Sequence, residues 1–193
     1  LGYPQEHMDY AYSNDMDALA LTDHGNMNGL AYQVLHAKKM QAEGKEFKPI
    51  FGLEAYFVPS IEEWRNDYEK VMQDKKAARA AKKSETTGTT VEDEAESKKA
   101  TRNILNRRRH LVLLAQNQKG LNNLFKLVSE SYKPENFYRF PRLDYELLSK
   151  YSEGVIAASA CLGGVYAGNY WEHRETGSEA VLEAVSYTHL RAH

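Results

Sequence analysis

Four short apolar runs, each closed by glycine or polar residues and each tied to a stretch with helical spacing, constrain this chain more than any other feature. They are Ala18-Leu19-Ala20-Leu21, Pro49-Ile50-Phe51-Gly52, Leu111-Val112-Leu113-Leu114-Ala115 and Val155-Ile156-Ala157-Ala158. Runs of this length bounded by turn signals read as buried strands. Ala55-Tyr56-Phe57-Val58 extends or follows the second. Between them, Leu30, Val34, Ala37 and Met40 recur at helical spacing over Gly29 to Ala42, with Asn28 as a candidate cap and Gly44 as a stop. Leu121, Leu124, Leu127 and Val128 do the same over Gly120 to Tyr132. Further helices are expected over Tyr3 to Tyr12, Leu143 to Tyr151, Val165 to His173 and Glu179 to Val185. This alternation points to an α/β fold with parallel strands, and to half or more of an α/β barrel.

The stretch from Ile61 to Arg109 breaks the pattern, being charge-dense with few large apolar residues. It reads as an inserted helical arm: a helix over Ile61 to Lys83, a flexible tip over Ser84 to Ala95, and a returning helix over Glu96 to Asn106. Lys75, Lys76, Arg79, Lys82, Lys83, Lys98, Lys99 and Arg102 are interspersed with acids, which favours a solvated, self-paired hairpin over a nucleic-acid contact. Residues 186–193 follow a helical pattern and then break it. They read as translated adapter sequence, which leaves 1–185 as the domain. Leu1 in place of Met places the natural start upstream.

Bulk properties bound the function classes. With 193 residues the chain holds one domain with a core and is too short for a polymerase. A formal net charge of -2 does not announce nucleic-acid binding by the whole surface. A single cysteine, Cys161, excludes an internal disulfide and fits a reducing, cytoplasmic compartment. No apolar run reaches the roughly 18 residues of a membrane span, so no membrane association is expected.

The candidate chemistry lies at the strand ends. Thr22-Asp23-His24-Gly25-Asn26 follows the first apolar run, at the edge where α/β barrels carry their active sites. There His24 can present a ring nitrogen to a metal, and Asp23 can ligate or hold the imidazole tautomer. Glu54 closes the second strand, as a carboxylate able to bridge metal ions or act as a base. His110 opens the third strand, and Cys161 follows the fourth. In an all-parallel barrel the start of a strand is the end opposite to the site, so His110 is out of place in that frame. Nitrogen, oxygen and sulfur donors together suit zinc and also admit manganese or iron.

The run Ala18-Leu19-Ala20-Leu21-Thr22-Asp23-His24-Gly25-Asn26-Met27 resembles a metal motif of the polymerase and histidinol phosphatase (PHP) family. The form with Gly25-Asn26-Met27 is most similar to that of bacterial DNA polymerase III alpha subunits. Pro49 to Tyr56, Arg109 to Ala115 with Gly120-Leu121-Asn122-Asn123-Leu124, and Glu153 to Cys161 agree in the same order. The resemblance covers nearly all of residues 1–185. It implies a partial, distorted (β/α)7 barrel with His24, Glu54, His110 and Cys161 at metal-ligand positions and Asp23 as their orienting neighbour. It further implies divalent ions, zinc or manganese, in a phosphoesterase-type site, used in some members for 3′–5′ proofreading. DNA synthesis, with its magnesium, would belong to downstream domains, and the partners would be DNA and other replicase subunits. The family's His-x-His and Asp-x-His motifs are not found in these residues, so the fragment by itself is expected to be inactive. Two other readings stand beside this one: a separate phosphatase of a small phosphorylated metabolite, and a metal-free scaffold that binds protein partners.

Overall fold

The computed structural model describes residues 2–82 and 104–173. The expected tip at 84–95, all but the last residues of the returning helix at 96–106, the helix at 179–185 and the tail at 186–193 lie outside the described residues.

In chain order the elements are α1 (Pro4–Ser13), β1 (Ala18–His24), α2 (Leu30–Ala42), β2 (Lys48–Phe57), α3 (Ile61–Lys82), β3 (Arg109–Ala115), α4 (Gln118–Ser131), β4 (Phe137–Tyr138), β5 (Phe140–Pro141), α5 (Tyr145–Lys150), β6 (Val155–Ala158) and α6 (Val165–His173). Strands β1, β2, β3 and β6 form one sheet in the order β1-β2-β3-β6, and β4 and β5 form a small hairpin beside it. Among the described residues the sheet is mixed and does not close into a barrel. β1 runs parallel to β2, whereas β3 is antiparallel to both β2 and β6.

Two expectations change. β1 does not stop at Leu21, because the ladder with β2 continues through Thr22↔Gly52, Asp23↔Leu53 and His24↔Glu54. Polar side chains do not end a strand when a neighbour still satisfies the backbone. The strand is also only partly buried, since it forms one edge of the sheet. The second change is the reversal of β3, which runs antiparallel to β2 rather than parallel as expected.

Successive strand residues point to opposite faces. One face carries Leu53, Ala55, Phe57, Leu111 and Leu113, all buried, against Leu124 and Leu127 of α4 together with Leu143 and Val165. Each such leucine contributes roughly 1.5–3 kcal/mol by leaving water. α4 is amphipathic as its spacing requires, and Asn117 caps it by accepting from the Gly120 N–H at 2.9 Å. α2 covers β1 and β2, where buried Gln33 donates through Nε2 to the carbonyls of Leu19 and Ile50. Its expected cap differs. Gly29 takes the cap position before Leu30, while the Asn28 N–H donates to Asn26 Oδ1. The opposite face of the sheet, with His24, Glu54, Tyr56 and His110, is the one left open to chemistry.

Candidate metal centre

His24 is the last residue of β1 and sits directly across from Glu54 on β2. Directly opposed residues of neighbouring strands share a face. His110 is the second residue of β3 and opposes Tyr56, two positions along β2 on that same face. The reversed direction of β3 resolves the position of His110. The start of an antiparallel strand lies at the same sheet edge as the ends of its neighbours, so His24, Glu54 and His110 converge.

Cys161 arrives from the other side. After β6 the chain turns through Ala160, which holds a left-handed backbone (φ 61), and folds back onto β3. The His110 N–H donates to the Gly163 carbonyl at 2.9 Å, and Gly164 bridges to His110. The turn is tight: a Cβ on Gly164 would lie 1.8 Å from the Ser159 carbonyl oxygen. Cys161 thereby presents its thiol to the imidazole, with Sγ 3.4 Å from His110 Nδ1 and 3.4 Å from the Gly163 N–H that donates to it.

Glu54 is the hub. Its Oε1 lies 3.0 Å from His24 Nδ1 and 2.9 Å from His110 Nδ1. The Glu54 side chain is only 14% exposed, whereas that of His24 is 69% exposed, so the carboxylate is the floor of the site and His24 its rim. The two imidazole rings are 6.2 Å apart, centre to centre. All four residues expected at metal-ligand positions therefore form one connected group. Their donor atoms contact one another. Among the described residues, no group of three or more histidine, cysteine or acidic side chains is spaced as a cage around a common centre.

Asp23 goes elsewhere. Next to His24 in a strand, it belongs to the other face, and its Oδ2 accepts from the Gly29 N–H at 2.6 Å. It ties the end of β1 to the start of α2. The loop above is organised by Asn26, whose Nδ2 donates to the His24 carbonyl at 2.9 Å.

Three aromatic and basic residues beside the site escaped the sequence reading. The Tyr56 ring is 5.6 Å from the His110 ring and 5.2 Å from that of Phe140. The Arg108 guanidinium carbon stands 3.7 Å from the centre of the Phe140 ring and 5.0 Å from that of Tyr56. The phenol of Tyr56 titrates above its usual range, chiefly because it is removed from water; the Arg108 charge opposes this and the Glu54 charge adds to it. Position two before His110 on an extended segment was the available signal for Arg108, obscured by its place in the run Arg107-Arg108-Arg109.

Comparison with known proteins adds what geometry cannot. The sequence profile of the PHP domain matches residues 2–187. The chain is 38% identical over 148 residues to the DNA polymerase III subunit alpha of Aquifex aeolicus, covering 77% of this chain and 10% of that protein. It is 36% identical over 151 residues to the protein of that name from Borreliella burgdorferi, covering 78% of this chain and 10% of the relative. For the counterpart from Deinococcus radiodurans the figures are 33% over 165 residues, 86% of this chain and 10% of the relative. The chain thus spans about a tenth of the length of the curated relatives it matches.

Proposed function

The chain belongs to the PHP domain family, and from that premise we propose that it is the PHP portion of a DNA polymerase III alpha subunit whose His24, Glu54, His110 and Cys161 contribute to a divalent-metal phosphoesterase site. The observation that carries this reading is the convergence of two imidazole nitrogens on one carboxylate oxygen, with a thiol against the second imidazole.

The donor set fits a metal chemically. Tetrahedral zinc with nitrogen, oxygen and sulfur ligands sets donor atoms about 3.3–3.8 Å apart. The contacts of 2.9 and 3.0 Å fall somewhat short of that spacing, and the 3.4 Å contact lies within it. A small outward movement would let a cation replace the protons now shared between these groups, and uptake would release those protons. His24 and His110 would supply neutral Nδ1, Glu54 negative charge from a sheltered floor, and Cys161 a sulfur from the turn. Zinc or manganese suits this set. A bound ion supplies Lewis acidity toward a phosphate ester. The residues fix where that ester sits and which side of the sheet it approaches.

In the full-length protein such a site would remove nucleotides in the 3′–5′ direction. DNA synthesis and its magnesium would belong to other domains, and the protein would act in the cytoplasm with DNA and other replicase subunits. No described helix is long and apolar enough to cross a membrane.

One observation favours a second reading, the metal-free scaffold: hydrogen bonds join His24 to Glu54 and His110 to Cys161, and the His110–Glu54 contact links the two pairs, so all four side chains already have partners. A single experiment separates the two. The chelator-treated chain is titrated with Zn²⁺ and with Mn²⁺, and bound metal and released protons are measured. Uptake at one or more equivalents, weakened about tenfold or more in Glu54→Gln and His110→Ala, supports the metal site. No uptake by the folded wild-type chain, or equal uptake by both variants, sinks it and leaves the scaffold.

A further inference from the structure

We propose that Arg108 is an anion-binding residue that takes a phosphate oxygen of the phosphoester presented to the neighbouring histidine-glutamate-cysteine group. This deepens the phosphoesterase reading and rests on it.

The case starts from what holds the basic side chains of this region. Arg107 is paired with Asp67 at 2.8 Å. Arg142 is sealed among backbone carbonyls. Arg108 is different. Its only hydrogen bond among the described residues runs from Nη1 to the Asn106 carbonyl at 3.1 Å. Its Nε is buried without a partner, and no described carboxylate pairs with it. Two aromatic rings locate its guanidinium instead, Phe140 at 3.7 Å and Tyr56 at 5.0 Å. Rings hold a guanidinium in place without neutralising its charge or using its in-plane donors. A carboxylate would do both.

The clamp also has an address. Tyr56 touches Arg108 on one side and the His110 ring on the other, at 5.6 Å. Arg108 precedes His110 by two residues, the spacing that places both on one face of an extended segment. Nη2 makes no hydrogen bond to any described residue, and a guanidinium edge presents parallel N–H groups suited to phosphate oxygens. The Tyr56 hydroxyl is likewise without a hydrogen-bond partner among the described residues, so it can donate to the same anion. The arrangement is a fixed cation beside a group of metal-type ligands, which is the charge pattern a phosphoester needs at its non-bridging oxygens.

The test is a titration of the whole 193-residue chain, metal-free, with inorganic phosphate at constant ionic strength set by KCl. Binding is read by calorimetry and by the ¹⁵N–¹H resonance of the arginine Nε groups, with Arg108 assigned from its variants. Wild type should bind saturably and shift the Arg108 signal. Arg108→Met should bind about tenfold more weakly or not at all. Arg108→Lys, which keeps the charge but loses the planar fork, should fall between. Equal affinity of wild type and Arg108→Met, or no saturable binding by wild type, overturns the proposal. Should Arg108→Met fail to fold by circular dichroism, an unmoved Arg108 resonance in wild type overturns it equally. Failure here with zinc or manganese uptake intact would leave the metal site standing. Phosphate binding intact with no metal uptake would strike the metal reading alone.

Discussion

Arg142 has no exposed surface, yet its charge is fully engaged. Nε donates to the Arg107 carbonyl, Nη1 to those of Tyr138 and Phe140, and Nη2 to that of Leu105, with the guanidinium carbon 4.0 Å from the Trp64 ring centre. Burial, aided by the charges of Arg108 and Arg107, lowers its pKa to about 10, which still leaves it a cation at neutral pH. Truncation orphans four carbonyls. Arg142→Ala should therefore cost at least about 3 kcal/mol, read from urea unfolding, with Arg142→Lys recovering part of it. Gly25 is a second fixed point. It has φ +69, its N–H donates to the Glu54 carbonyl at 2.8 Å, and a Cβ there would meet the Tyr56 ring at 2.9 Å and Pro141 at 3.0 Å. Gly25→Ala should destabilise by about 1–3 kcal/mol and disturb the His24 loop, seen as a lowered thermal midpoint. That His24, Glu54, His110 and Cys161 meet in one group was suggested by donor side chains standing at or near strand ends. Arg142 was not, because a fully buried arginine looks in sequence like any surface charge. The role of Asp23 was hidden for a related reason, since which face a strand residue takes depends on where the strand begins and ends.

At the scale of elements, one carboxylate ties two helices together. Asp144 Oδ1 accepts from the Leu147 N–H to cap α5, and Oδ2 accepts from the Ile61 N–H at the start of α3. Both bonds sit at a helix N-terminus, where a negative charge is also favoured by the helix dipole. Asp144→Ala should lower stability by about 1–2 kcal/mol for each cap lost, and Asp144→Asn by less, in matched urea titrations. The start of α3 is further packed by Val58, Ile61 and Trp64, with Tyr68, Tyr138 and Leu147 against them. The helix α4 shows how far periodicity reaches. Its spacing named Leu124 and Leu127 as inward, and both are completely buried. Leu127→Ala should cost about 2–5 kcal/mol by the same assay. Strand direction was beyond that kind of signal, because a run such as Leu111 to Ala115 reads the same either way. The two-residue strands β4 and β5 were also missed, being too short to show a period.

Among the described residues the strands form an open sheet with a core on one face and the candidate chemistry on the other. β2 and β3 are paired on both sides, while β1 and β6 form the edges. Ile156 of β6 is 49% exposed. Amide exchange should follow this order, with Leu53, Ala55, Leu111 and Leu113 most protected and the outer halves of β1 and β6 exchanging first. Uniform protection across the four strands would show that the edges are covered in solution. The sequence by itself determined the alternation of strands and helices, the inner face of α4, and the residue types able to hold a metal, because local spacing fixes which side chains an element turns inward. Only the tertiary structure decided that β3 runs backward, that His110 joins His24 and Glu54 at one edge, and that Arg108 rests against Phe140 and Tyr56. Those outcomes depend on how distant segments pair, and pairing energy belongs to backbone hydrogen bonds and packing that no single segment encodes.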